Sequence, residues 1–160
     1  MSPRIRLRLL DPKAEPAPSV AAVRARLGGR LLGAPHQDCG ALVLFDGRPD
    51  ELGPAVLLFV EASEAHVWLG AGLVRTLPEA RLRPFEGEPP PAAARVAHDA
   101  RAFAALGEGD RVSFSGTEGG PLESGVIVEK CRHGALVERP DGVVVGVGFR
   151  RLRRAPLALH

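Results

Sequence analysis

Apolar and polar residues alternate along the second half of the chain in the pattern of short β-strands. In residues 111–115, Val112 and Phe114 fall on one side, as expected of a half-buried strand. A run rich in β-branched residues follows over 125–130. Further strands are predicted over 135–139, 143–149 and 150–153. Five short strands joined mostly by tight turns are too few for a sandwich but sufficient for a small barrel.

The same pattern occurs earlier in the chain, which indicates an internal duplication. A shift of 70 residues lays residues 55–84 over residues 125–154 without a gap. The identical pairs are Val56/Val126, Ala65/Ala135, Val67/Val137, Gly72/Gly142, Val74/Val144, Arg81/Arg151, Leu82/Leu152 and Arg83/Arg153. Upstream, a shift of 69 aligns residues 43–47 with 112–116, so one residue is gained or lost in a loop, where such changes are tolerated.

A segment with helical periodicity precedes each set of strands. Ser19 is a suitable N-cap for the first helix, while Gly28 and Gly29 disfavour its continuation, because glycine costs roughly 1 kcal/mol relative to alanine. The second helix is predicted over 92–106, with Gly107 at its C-terminal cap. The apolar stripes comprise Val20, Val23, Leu27 and Leu31 in the first helix and Val96, Ala100, Phe103 and Leu106 in the second.

The opening of the second unit carries a resemblance to a known fold. Gly109-Asp110-Arg111-Val112, followed after a loop by Gly125-Val126-Ile127-Val128, resembles the opening of SH3-like barrels of the KOW and Tudor type. The first copy, residues 41–85, is similar in layout but lacks the Gly-Asp opening. The resemblance implies a barrel fold. Because such barrels bind RNA, ribosomal surfaces, methylated peptides or other proteins, it implies no particular partner.

The predicted fold is mainly β with short helices (α+β), built from two tandem SH3-like five-stranded barrels that are each preceded by a helix. Residues 16–87 form the first helix and barrel, and residues 88–156 form the second. Residues 1–15 form a basic arm or an edge strand, because Arg4 to Leu9 alternate with period two. Residues 157–160 form a C-terminal tail.

Hydropathy and cysteine content indicate a cytoplasmic protein that does not enter a membrane. The longest uninterrupted apolar run, from Pro54 to Val60, is far shorter than the ~20 residues of a membrane-spanning helix. Arginines interrupt the apolar residues near the N-terminus, unlike in a signal peptide. Two cysteines, Cys39 and Cys131, are fewer than small secreted folds usually carry, so free thiols are expected.

Charge is distributed unevenly, although the formal net charge is only +2. Residues 1–32 are basic, residues 33–88 are acidic, and residues 89–160 are nearly balanced. A nucleic-acid-binding protein generally concentrates Lys and Arg on one face, because phosphate neutralisation supplies most of its affinity. The acidic first unit does not fit that class.

An Arg-Leu-Arg triplet occurs at 6–8, 81–83 and 151–153. It can present paired guanidiniums to phosphate or carboxylate groups. Alternatively, Leu82 and Leu152 are core residues and the flanking arginines face water. The candidate binding arginines are Arg81, Arg83, Arg150, Arg151, Arg153 and Arg154, and the last four are the best candidates for phosphate binding.

Trp68 is the aromatic residue for which an interface role is predicted. Its repeat partner is Glu138, and its neighbour Val67 is predicted to point inward, which places Trp68 on the outer face of the first barrel. Burial against a helix fits the residue equally well, because Trp favours both settings. A Tudor-like cage is not expected, since it needs several rings and the chain has no tyrosine.

The sequence carries no convincing metal or catalytic motif. His36 with Cys39 and Cys131 with His133 are ligands of suitable type, but joining the two pairs would require distant loops to meet, so we predict no metal and no cofactor. Nucleophile elbows and Walker-type loops are absent from the sequence. We therefore predict a protein without enzymatic activity.

Two functions remain after these exclusions. The first is a protein-interaction module, or a small subunit of a larger assembly, that binds a protein through its barrel faces. The acidic first unit, Trp68 and the apolar residues 157–159 favour this function. The alternative is an RNA- or ribosome-binding KOW-like protein that uses the basic arm and the arginines of residues 150–154.

Overall fold

The computed structural model describes residues 19–32, 38–115 and 120–156. As predicted, this part of the chain is mainly β, with two helices and two five-stranded antiparallel sheets. The helices are α1 (Val20–Arg26) and α2 (Pro91–Ala104). The predicted arm and tail, residues 1–15 and 157–160, lie outside the described residues.

Each sheet is assembled from consecutive strands of one unit. The first contains β1 (Leu42–Leu44), β2 (Ala55–Glu61), β3 (Glu64–Gly70), β4 (Leu73–Pro78) and β5 (Arg83–Pro84). The second contains β6 (Arg111–Ser115), β7 (Leu122–Lys130), β8 (Gly134–Glu138), β9 (Val144–Gly148) and β10 (Leu152–Arg154). The spatial orders are β4-β3-β2-β1-β5 and β10-β6-β7-β8-β9, so the first strand of each unit lies beside the last.

The two sheets have the same strand register when offset by 70 residues. Val56 lies opposite Trp68 in the first sheet, and Val126 lies opposite Glu138 in the second. A register shift follows Leu57 in β2, and the same shift follows Ile127 in β7. A short 3-10 turn also precedes the last strand of each sheet, at Glu79–Arg81 and Phe149–Arg151. The repeated residues therefore occupy equivalent positions in three dimensions.

The predicted closure of each sheet into a barrel is wrong. The outer strands are β4 and β5 in the first sheet and β9 and β10 in the second, and neither pair is hydrogen-bonded together. Closure requires the outer strands to pair. In the first sheet β5 has only two residues, and one of them, Pro84, has no N–H to donate. Both sheets are therefore open.

The helix ends follow from the capping residues in the sequence. The Ser19 hydroxyl accepts a hydrogen bond from the Ala22 N–H at 3.1 Å and caps α1. Gly28 has a φ of +86°, which favours glycine and ends this helix. At the other helix, the Lys130 Nζ donates to the carbonyl oxygens of Phe103 and Leu106 at 2.8 and 2.7 Å, so a cation satisfies the C-terminal carbonyls of α2.

Each helix packs on strands that belong to the other unit. Although α1 precedes the first sheet in sequence, it packs on β8 and β9 of the second. The fit is close, because a Cβ on Gly146 would collide with the Val23 side chain. Helix α2 packs on β2 of the first sheet and also on β10 and the adjacent 3-10 turn of the second. The helices thereby connect the two units.

The described residues form a main core and a smaller one. The smaller core lies in the first sheet and comprises Val43, Phe45, Ala55, Leu57, Ala65, Val67 and Leu77. The main core combines one face of α2 with residues of both sheets. Strand β2 contributes to both, since Ala55 and Leu57 enter the smaller core while Val56 and Leu58 enter the main one. The domain division at residues 87 and 88 stays a sequence-based prediction.

Charged residues join the two sheets beside the cores. Arg132, in the turn before β8, forms an ion pair with Glu61 at the end of β2. The Leu32 N–H donates to the same carboxylate at 3.3 Å. Arg24 of α1 forms a second ion pair with Glu129 of β7. None of the helices in the described part is long and apolar enough to span a membrane.

Candidate protein-interaction surface

The outer strand β4 exposes apolar side chains at one edge of the first sheet. Every residue of β4 except Leu77 is exposed, and the exposed fractions of Leu73 and Val74 are 63% and 39%. Within the described ranges, β4 is hydrogen-bonded to β3 and to no second strand. Apolar residues on an unpaired sheet edge are normally avoided, because such an edge can recruit another strand.

Trp68 lies beside this strand and extends the apolar surface. It is directly opposite Val74 of β4 and Val56 of β2. The Trp68 side chain is half-buried and packs against the main core. The predicted surface exposure and the predicted burial therefore each hold in part. We call Trp68, Leu73 and Val74 the edge surface.

The arginines at the end of the second unit are engaged within the protein. Arg150 donates to one oxygen of the Asp99 carboxylate at 2.7 Å, and Arg153 donates to the other at 2.9 Å. Asp99 lies on α2 with its side chain only 7% exposed. Arg154 lies 3.4 Å from the Asp110 carboxylate, and Arg151 is exposed in the 3-10 turn. Two of the four predicted phosphate-binding guanidiniums therefore neutralise a buried carboxylate.

The corresponding arginines of the first unit lie on a different sheet. Arg81 donates to the Asp46 carbonyl oxygen at 3.3 Å, and Arg83 lies 3.9 Å from the Asp46 carboxylate. Both arginines are exposed. Because Ala80 stands where the second unit has Arg150, the first unit cannot form the same pair of bonds to one carboxylate.

As predicted, the two cysteines are not joined in a disulfide, and both are buried. Cys39 belongs to the main core, and Cys131 directly follows β7. Burial raises the pKa of Cys131 to about 11, so the thiol stays protonated at neutral pH. Of the other suggested ligands, His36 lies outside the described residues. Among those that are described, no three His, Cys, Asp or Glu side chains are placed to hold a metal ion.

A cluster of aromatic and imidazole rings at the junction of the sheets was not predicted. His66 of β3 stacks on Phe59 with a centroid distance of 4.1 Å, and the His133 ring lies 6.2 Å from His66. His133 Nε2 is buried and has no hydrogen-bond partner among the described residues. Burial lowers the pKa of both imidazoles, and the Arg132 charge acts in the same direction on each. The two histidines are far apart in sequence, so no local pattern connects them.

We expect the protein to lose stability as the pH falls below about 6.5, the ordinary histidine pKa in an unfolded chain. Because folding lowers the pKa of His66 and His133, the unfolded state binds more protons than the folded state below that pH. The contribution of these two histidines to the free energy of unfolding is fully present above pH 6.5, the unfolded-state value. It decreases as the pH falls toward their pKa values in the folded state. Urea unfolding between pH 7.5 and 5.5 measures the change.

The control for this pH dependence is the exposed histidine of α2. In a variant with His66→Gln and His133→Gln, the free energy of unfolding should change little between pH 7.5 and 5.5. In His98→Gln it should decrease as in the unsubstituted protein. An unchanged slope in the double variant would assign the decrease to other groups.

A scan of protein-family models finds no match to this chain, and a search of curated proteins finds none either.

Proposed function

We propose that the chain is a non-catalytic protein-interaction module, or a small subunit of a larger assembly, that binds a partner protein through the edge surface. The observation that carries this proposal is the outer strand β4, which exposes Leu73 and Val74 and has a strand partner on one side only among the described residues. A partner segment in extended conformation would add to β4 as a sixth strand. Its backbone would supply affinity, and contacts with Trp68 and Val74 would supply specificity.

The fold proposed for each unit is an open variant of the SH3-like barrel. Five short antiparallel strands, with the first strand beside the last, support this assignment. SH3-like folds carry many unrelated binding functions, so the edge surface, and not the fold, identifies the proposed binding site.

The location of Arg150 and Arg153 favours protein binding over the RNA-binding alternative. Their guanidiniums already contact Asp99, and phosphate would have to compete with that buried carboxylate. Residues 33–88 also carry more acidic than basic side chains, so the first sheet would repel a polyanion such as RNA.

A photo-reactive phenylalanine analogue at position 73 is expected to crosslink to one partner protein in a lysate of the source organism. Val74→Lys should reduce the adduct about tenfold, because a lysine ammonium would be placed in an apolar contact. The matched control places the same analogue at position 143, the repeat equivalent of Leu73, which is exposed immediately before β9.

Equal adducts from positions 73 and 143, or an adduct that Val74→Lys leaves unchanged, would refute the edge surface as the binding site. An adduct that disappears on nuclease treatment would replace the proposal with nucleic-acid binding.

A further inference from the structure

The backbone of β4 offers hydrogen-bonding groups on its outer side at two positions. The Glu79 N–H donates to the Ser63 carbonyl oxygen at 2.8 Å, in continuation of the register between β3 and β4. Opposed pairs in an antiparallel ladder alternate between hydrogen-bonded and non-hydrogen-bonded, so the N–H and C=O groups of Val74 and Thr76 point away from β3. Pro78 has no N–H to donate, and the edge available for pairing therefore ends there.

Arg75 lies between these two positions and carries a positive charge on the other face of the strand. It is exposed and lies opposite Val67, a residue of the smaller core. Its guanidinium lies over the buried ring of Phe45, at 5.4 Å from the ring centroid. Such stacking occupies the flat face of a guanidinium and leaves the N–H donors at its edge accessible.

The N–H donors of Arg75 differ in their contacts from those of the other three arginines in residues 38–88. Arg48 donates to a backbone carbonyl oxygen at 2.9 Å, Arg81 donates to another at 3.3 Å, and Arg83 pairs with a carboxylate. Within the described ranges, no oxygen accepts a hydrogen bond from Arg75, and no carboxylate forms an ion pair with it. The buried ring thus holds a guanidinium that lacks an anionic partner.

The acidic residues near this end of the sheet do not supply that partner. Glu64 lies opposite Pro78, and the alternation of side chains along the strands places it on the other face of the sheet from Arg75. Glu79 follows Pro78 and already has an interaction within the protein. The second copy carries Val145 in place of Arg75, so this charge belongs to the first sheet alone.

We propose that the partner segment at β4 is an antiparallel strand with a single carboxylate between two apolar β-branched residues, and that this carboxylate pairs with Arg75. The pairing rests on the proposed function, because it takes β4 as the binding edge. Backbone bonds to Val74 and Thr76 make Arg75 and the residue opposite it a non-hydrogen-bonded pair, in which side chains approach most closely. The acidic balance of residues 33–88 disfavours a segment with several carboxylates.

The probe is a peptide of sequence Thr-Val-Glu-Val-Thr with blocked ends, titrated into the full chain up to millimolar concentration. Slower hydrogen exchange of the Val74 and Thr76 amides is the expected result, because these N–H groups point outward and would become bonded to the peptide. The amides of Arg75 and Leu77 are the internal reference, since they already bond to β3. Unchanged exchange at Val74 and Thr76 would overturn the proposal and would also count against β4 as a binding edge.

Charge exchange tests the pairing with Arg75 separately from binding at the edge. The same peptide with lysine in place of glutamate should bind about fivefold more weakly, and Arg75→Glu should reverse this preference. Arg81→Glu is the control, because Arg81 is exposed but lies outside β4, and it should leave the preference intact. Spectra of both variants without peptide verify folding. Equal affinities of the two peptides, with both slowing exchange at Val74 and Thr76, would overturn the pairing while the edge remained a binding site.

Discussion

Replacing Gly134 with alanine is expected to lower the free energy of unfolding by about 3 kcal/mol. Gly134 is the first residue of β8, and an added Cβ would overlap with the Val147 carbonyl oxygen of the adjacent strand β9. The same Cβ would press on the Leu27 side chain at the end of α1, at 2.9 Å. Because the first obstacle is backbone, the sheet itself would have to shift.

The control for Gly134→Ala is Glu64→Ala at the equivalent position of the first sheet. Glu64 is exposed, so this substitution should change the stability by less than about 0.5 kcal/mol. Urea unfolding followed by circular dichroism measures both variants. A loss of under 1 kcal/mol for Gly134→Ala would indicate that β8 and β9 separate easily.

Removing both Arg150 and Arg153 is expected to destabilise the protein by roughly 3 kcal/mol, because it leaves the buried Asp99 carboxylate without its two guanidinium partners. Either single Arg→Ala substitution should cost much less, since one partner remains. Adding Asp99→Asn to the double variant should recover most of the loss by removing the buried charge.

The matched control removes Arg81 and Arg83, the corresponding pair on the first sheet. Their contacts with Asp46 are exposed, so Arg81→Ala with Arg83→Ala should be nearly neutral. Thermal or urea unfolding of the two double variants gives the comparison. Similar losses in both would show that burial of Asp99 has little effect on stability.

Local patterns in the sequence predicted most of the elements of the fold but not all of their bounds. Strand β7 begins at Leu122 instead of Gly125, and residues 150 and 151 belong to a 3-10 turn before β10. Alternation located β6 at residues 111–115, as observed. Ser19 marked the start of the first helix, and Gly28 and Gly29 indicated its end, although the predicted apolar stripe extended beyond that end to Leu31. The second helix was predicted within two residues at each end. These features depend on nearby residues, so a single sequence contains the information needed to predict them.

The missed features depend on contacts between residues far apart in sequence. Nothing near Val23 indicates that α1 packs against Gly146, and no local signal connects Asp99 with Arg150. Closure of the sheets was predicted from strand number, whereas pairing of the outer strands decides it. Trp68 illustrates an intermediate case, because its difference from Glu138 drew attention to the surface but did not fix its burial.

Strand β2 places a limit on how independently the two copies can evolve. Its alternate side chains support separate cores, one within its own sheet and one shared with the second unit. A substitution at Val56 in the first copy therefore alters the packing of the second, although Val126, its duplicate, has no equivalent role toward the first. The dependence is mutual, because α2 of the second unit covers this face of β2. Neither copy buries its interior without the other.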